Sequence, residues 1–110
     1  VRGDVYRFKP GQERRGHEQR GERYAVVVQA TRFAHLSTWL VVPTSASAAG
    51  TVYRPRIEIP GRGECVALCE ATVSVDPELR LGDRLGSLSL REMIEIDAAL
   101  RLLMDLDLFV

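Results

Sequence analysis

The stretch Gly16-His17-Glu18-Gln19-Arg20-Gly21-Glu22-Arg23 runs straight into Tyr24-Ala25-Val26-Val27-Val28, and this junction decides how the chain is read. A short apolar run rich in valine has the length and composition of a buried strand. The residues before it are charged and bracketed by glycines, so they form a loop. A charged loop feeding a buried strand is where a small β-protein places a working site, because loops carry function when a rigid scaffold positions them. Arg23 stands at the foot of that strand, close to a fixed backbone, as an Arg in mid-loop does not.

Outward from this junction, short apolar or alternating runs dominate residues 1–88, separated by Gly, Pro, Asp and Ser clusters. Their period predicts strands at residues 4–8, 24–29, 38–43, 52–59, 65–68, 73–75 and 84–87. Residues 44–50 are small and polar and are predicted to be a loop, and Pro60-Gly61 marks a turn. The C-terminal part changes character. Ser89-Leu90-Arg91-Glu92 fits a capping box, in which the Ser hydroxyl and the Glu carboxylate satisfy the free backbone donors of a helix start. Met93, Ile96, Leu100, Leu103 and Leu106 then recur at steps of three or four, the spacing of one apolar helix stripe expected to pack as core. Leu102, Leu108, Phe109 and Val110 lie off that stripe or beyond it, as a subunit contact would require. Many short antiparallel strands closed by one terminal helix make a mainly β protein with α. A small, strongly bent antiparallel β-barrel with a C-terminal helix is the expected architecture, since closure hides sheet edges.

Composition narrows the function. A chain of 110 residues, 45% hydrophobic and 27% charged, is expected to be one soluble globular domain. No apolar run approaches the roughly 20 residues that span a bilayer. Arg2, Asp4, Arg7 and Lys9 interrupt any signal-peptide core, so a cytoplasmic location is expected. Cys65 and Cys69, on one strand, would lie roughly 13 Å apart along it, too far for a disulfide, and read as buried free thiols. The net charge is zero but unevenly spread. Residues 1–32 hold eight basic and four acidic side chains, and residues 89–110 hold two basic and five acidic ones. A basic front suggests a local surface that attracts phosphate, against the plainer alternative of a solvated loop.

No nucleophile triad can be assembled from this chain, and no phosphate-binding P-loop is present. His17 and His35 are its two histidines, but His35 falls in a short loop between strands, which weighs against a two-histidine mechanism. No metal is expected, since His17 and Glu18 are adjacent and point apart. The remaining chemistry centres on arginine. Glu18, Arg23 and a hydroxyl from Thr44 or Ser45 could supply the base, the anion stabiliser and the proton for cleaving an RNA phosphodiester without a metal. The plainer alternative is a structural ion pair beside solvated hydroxyls.

The order Arg2-Gly3-Asp4-Val5-Tyr6, then Gly16 to Arg23, then Ala25-Val26-Val27-Val28, then Val41-Val42-Pro43-Thr44-Ser45 resembles the MazF/PemK (Kid) toxin endoribonucleases. Arg80-Leu81, Leu85-Gly86-Ser87-Leu88 and the helix after them resemble the end of that family. The resemblance implies an SH3-like barrel of the MazF/CcdB type with a C-terminal helix, homodimerisation and no cofactor. It also implies the activity of an mRNA interferase, a metal-independent hydrolase cutting single-stranded RNA at short specific sequences. A cognate MazE-like antitoxin with an acidic C-terminal tail is the implied partner. By position, Arg23 matches the family's catalytic Arg and Glu18 the Glu of the same loop. The catalytic hydroxyl follows the Pro by two residues, which places Ser45 there with Thr44 one step earlier; both stand as candidates. His17, Gln19, Arg20, Arg14 and Arg15 are the implied RNA-binding residues, and Tyr24, Phe33, Trp39 and Tyr53 could stack on bases, though each reads first as core. Tyr24 stands where the family commonly has Pro. Ala71 and Val73 stand where it often has Gln and Arg, which bears on the RNA sequence chosen. A non-catalytic RNA- or antitoxin-binding member, or a CcdB-like gyrase poison, is the alternative.

Overall fold

The computed structural model describes residues 1–10 and 22–107. Its strands are β1 (Asp4–Phe8), β2 (Tyr24–Val27), β3 (Trp39–Ser45), β4 (Arg56–Ile59), β5 (Gly63–Ala67), β6 (Val73–Val75) and β7 (Leu81–Ser87). Two α-helices follow from β6 onward, α1 (Pro77–Arg80) before β7 and α2 (Leu90–Met104) after it. The strands pair antiparallel in the order β4-β5-β3-β2-β1-β7, with β6 on β3. β3 organises the sheet. Its middle pairs with β2, its first half also with β6, and its last two residues, Thr44 and Ser45, with β5. This division of one long strand among three partners curls the sheet into the expected half-barrel.

Alternation along the strands sends side chains to two cores. Val5, Val26, Val42, Ile57, Ile59 and Cys65 meet Leu88, Met93, Ile96 and Ala99 of the C-terminal segment inside the curl. Ala25, Val27, Val41, Val75 and Leu81 pack on the other face with Tyr6, Phe8 and Trp39. The capping box is present as read: the Ser89 hydroxyl accepts from Glu92 N, and the Glu92 carboxylate accepts from Ser89 N at 2.8 Å. Glu92 also accepts from Glu58 N at 2.7 Å, which ties the helix start to β4.

Several elements differ from the sequence-based expectation. Thr44 and Ser45 belong to β3 rather than to a loop, because β5 offers their backbone a hydrogen-bonding edge. The expected strand over residues 52–59 begins only at Arg56; Thr51 and Arg54 close a tight turn before Pro55. Leu103 and Leu106 are exposed, so the buried stripe ends near Leu100, and Leu106 lies beyond the helix, which stops at Met104 with Asp105 in the left-handed region. Helix α1 was not expected, although Asp76 caps it through Glu78 N and Pro77 opens it, the local start signal of a helix. Cys65 and Cys69 are both free and buried, as expected. Cys69 lies in a 3-10 turn rather than on the strand, and burial pushes its thiol up to about 12.

The start of β1 is held by an internal ion pair. Asp4 is almost fully buried, and its carboxylate accepts from Arg84 Nη2 at 3.1 Å and from the Ser87 hydroxyl at 2.9 Å, with Arg84 Nε 3.1 Å away. Burial pushes the carboxyl up, but Arg84, Ser87 and the Val1 amino group 3.3 Å away together more than offset it and leave it below its ordinary value of 3.8. A carboxyl lowered by folding stabilises the fold above its unfolded value and loses that contribution as the pH falls through the folded one. Stability is therefore expected to be insensitive to Asp4 near neutrality and to fall in acid. Asp4→Asn should cost about 2 kcal/mol at pH 7 through its weakened charge-assisted bonds. The same variant should flatten the acid limb of a thermal-melt series, and an unchanged limb would show that Asp4 does not carry it.

Candidate active site

Arg23 immediately precedes β2, and its carbonyl accepts from Phe8 N at 2.9 Å, so its backbone is fixed to β1. Its Nε donates to the Thr44 carbonyl at 3.1 Å. The guanidinium is thus laid across the end of the β2–β3 pair, as a residue at the foot of a strand can be and one in mid-loop cannot.

The two candidate hydroxyls part company. Ala25 pairs with Pro43 and Val26 with Val42, and beyond Pro43 the strand pairs with β5, Thr44 with Ala67 and Ser45 with Val66. Thr44 is 2% exposed, and its hydroxyl donates to the Tyr24 carbonyl at 3.1 Å. It also lies beside Cys65, whose thiol is raised by burial in spite of the Thr44 hydrogen bond. Ser45 points to the opposite face and is half-buried. Its Oγ accepts from Ala48 N at 3.0 Å and Ser47 N at 3.3 Å, which fixes the oxygen while leaving its proton to donate elsewhere.

Beside Arg23 lies a second polar cluster, absent from the sequence reading. The Glu22 carboxylate accepts from the Tyr24 hydroxyl at 2.7 Å and pairs with Arg7 Nη1 at 2.5 Å. Arg62 Nη1 stands 4.0 Å from the same oxygen. The Tyr24 hydrogen bond first, and Arg7 after it, hold the Glu22 carboxyl below the usual carboxylate range. Burial and the adjacent carboxylate push the Tyr24 hydroxyl up. Arg7 was within reach of sequence reasoning as a basic residue on β1, but its place opposite Tyr24 comes from the β1–β2 register. Arg62 was not; it arrives from the β4–β5 turn through the curl of the sheet.

Glu18, His17, Gln19 and Arg20, with the bracketing Gly16 and Gly21 and the basic Arg14 and Arg15, lie outside the described residues. Leu108, Phe109 and Val110 lie outside them too. His35 is exposed on the loop before β3. Of the aromatic residues, Phe33 is exposed rather than core, flanked by Arg32 and His35. Trp39 is half-buried against Tyr6 and donates through Nε1 to the Ala34 carbonyl, and Tyr53 packs on the inner core. Glu70 is engaged by Arg54, while Val73 is exposed on β6 opposite Val41. Among the described residues no group of three or more His, Cys, Asp or Glu side chains could hold a metal ion. A shallow groove on the outer face, lined by Tyr6, Leu36, Trp39, Asp76 and Glu78 among others, has no basic residue in its walls and is no place for a phosphate.

Residues 1–104 match the model of the PemK-like, MazF-like toxins of type II toxin–antitoxin systems. The chain belongs to this family. A Mycobacterium tuberculosis protein provisionally named a toxin is 51% identical over 61 residues, 56% of this chain and 57% of its own length. The match thus spans little more than half of that relative. Among solved structures, MazF from Deinococcus radiodurans superposes with a TM-score of 0.76 at 21% identity, covering 94% of each chain. The Mycobacterium tuberculosis toxin MazF-mt6 gives 0.75 at 17% identity, over 94% of this chain and 98% of its own. A mycobacterial endoribonuclease solved in complex with its cognate antitoxin also gives 0.75, at 21% identity over 96% of this chain and 95% of its own. MazF-like toxins therefore share this curled sheet and C-terminal helix.

Proposed function

We propose that this MazF-like toxin is a sequence-specific, metal-independent endoribonuclease acting on single-stranded RNA in the cytoplasm. The 2′-oxygen attacks the adjacent phosphorus and loses its proton to a base, for which the family resemblance names Glu18. The bond from phosphorus to the 5′-oxygen breaks, and that oxygen takes a proton through the Ser45 hydroxyl, which is reprotonated from solvent as Glu18 releases its proton there. The products are a 2′,3′-cyclic phosphate and a 5′-hydroxyl, so atoms and charge balance. Arg23 stabilises the dianionic phosphorane between these steps, the role in which fixed cationic donors contribute most. Arg14, Arg15, His17, Gln19 and Arg20 contact the RNA backbone and bases.

The observation that carries this reading is the position of Arg23, tied through Nε to the carbonyl of Thr44, the residue that precedes Ser45 at the end of β3. Thr44 is less suited, because its hydroxyl is buried and already donates to a carbonyl. The exposed Leu102, Leu103, Met104 and Leu106 at the end of α2 favour a homodimer, which would cover them. An antitoxin with an acidic tail would compete for the basic groups that receive RNA.

Incubating the protein with a long RNA in EDTA tests the chemistry. Cuts at a recurrent short sequence, with cyclic phosphate and 5′-hydroxyl ends, are expected. RNA binding with no cut at any sequence would instead identify a non-catalytic member, and cleavage only on adding a divalent metal would overturn the mechanism.

A further inference from the structure

We propose that Arg7 and Arg62 form a second phosphate-binding subsite beside Arg23, with the Glu22 carboxylate resting between them in the place of an RNA phosphate. The proposal deepens the RNA-cleaving reading and rests on it. Two donors bond one Glu22 oxygen, Arg7 Nη1 from β1 at 2.5 Å and the Tyr24 hydroxyl from β2 at 2.7 Å, and Arg62 Nη1 from the β4–β5 turn stands within ion-pair range of it at 4.0 Å. Two guanidinium groups and a hydroxyl around one anionic oxygen make an oxyanion cradle, and arginine is the side chain best suited to hold phosphate. Among the described residues, the other acid within ion-pair range of these arginines is Asp83, whose Oδ2 lies 4.0 Å from Arg7 Nε and which is almost fully solvated.

The Glu22 side chain is 49% exposed, and those of Arg7 and Arg62 are 32% and 40% exposed, so an incoming anion can reach all three. Solvent-exposed ion pairs contribute little to folding, so an RNA phosphate can displace Glu22 without loosening the fold. Glu22 and Arg23 are consecutive, with Cα atoms about 3.8 Å apart. A flexible single strand crossing the end of β2 can therefore place one phosphate on Arg23 and a neighbouring one in the cradle. Glu22 then acts as a resident competitor that lowers affinity for RNA until a strand long enough to hold both points arrives.

The test measures binding of a randomised 2′-O-methyl RNA pool, which lacks the attacking hydroxyl, across a salt series. It uses the wild-type protein, Glu22→Gln, Arg62→Ala and the double variant. Glutamine keeps an acceptor for the Tyr24 hydroxyl and removes only the charge. Glu22→Gln should bind about three- to tenfold more tightly, with a salt slope steeper by about 0.7, the value of one phosphate contact on a single strand. Arg62→Ala should bind more weakly and cancel most of the gain in the double variant. A Glu22→Gln protein with a lower melting temperature but unchanged affinity and slope would identify a purely structural ion pair and overturn the subsite. If the wild type cuts RNA in EDTA while these variants bind alike, the subsite alone falls. If the wild type neither cuts nor binds RNA, the subsite falls together with the activity it serves.

Discussion

Arg23→Ala is expected to lower RNA cleavage by about a thousandfold while leaving the fold intact. The phosphorane carries two negative charges at the moment of bond exchange, and deleting one fixed donor to such a centre typically costs 10²–10³-fold in rate. A charged donor sits at the upper end of that range. One hydrogen bond lost with the side chain goes to the Thr44 carbonyl at the end of the sheet, and the backbone tie from Phe8 N to Arg23 remains. Arg23→Lys should recover little, since an ammonium cannot hold the carbonyl through Nε and present a planar fork to phosphate together.

The hydroxyl question is settled by the same assay run on two variants. Ser45→Ala removes the proposed proton donor and should slow cleavage by about a hundredfold or more, with little change in melting temperature. Thr44→Val keeps the shape of a buried side chain and orphans the Tyr24 carbonyl, so it should lose about 1–2 kcal/mol of stability and retain activity. Initial rates on a mapped RNA site, paired with thermal melts, read both. Full cleavage by Ser45→Ala alongside loss in a folded Thr44→Val protein would reverse the assignment.

Gly86→Ala is expected to be the most damaging single substitution of the scaffold. Gly86 adopts φ of +150°, a conformation that residues with a side chain rarely take, at the bulge where β7 slips against β1. A Cβ there would stand 2.8 Å from Pro60 Cγ and 2.9 Å from Pro60 Cβ, and a proline ring cannot swing aside. Backbone strain and overpacking each cost on the order of 1–3 kcal/mol, so a total of about 3 kcal/mol is expected. For a domain of this size that lowers the melting temperature by on the order of 15 °C. Gly61→Ala provides the comparison, because Gly61 also has positive φ, +73°, but nothing lies within 4 Å of its Cβ. It should lose about 1 kcal/mol, the conformational part alone. Equal losses in the two variants would show that the Pro60 contact carries no weight.

That contact explains why some of the fold was legible in the sequence and some was not. β1 and β6 occupy the residues predicted for them, and the Ser89 capping box opens α2 where it was read. These elements depend on neighbours within a few positions: alternation over a strand, a hydroxyl three residues from its backbone donor. The end of β3 is different. Thr44 and Ser45 look like the start of a polar loop until β5, some twenty residues later, supplies the edge that makes them strand. Leu103 and Leu106 continue a helical stripe in sequence, yet both are exposed, and the helix itself stops at Met104.

The candidate site divides along the same line. Its arginine, its pair of hydroxyls and its charged loop were all visible from residue type, order and spacing, and so was the family. Which hydroxyl is buried depends on how β3 packs against β2 and β5, a relation between strands that one strand's periodicity cannot fix. The junction of Arg62 with Arg7 and Glu22 depends on the curl that brings the β4–β5 turn to the mouth of β1 and β2. Local chemistry is written in adjacent residues and can be read from them. Convergence of distant charges is created only when burial of the apolar faces bends the sheet, and that was decided by the tertiary structure.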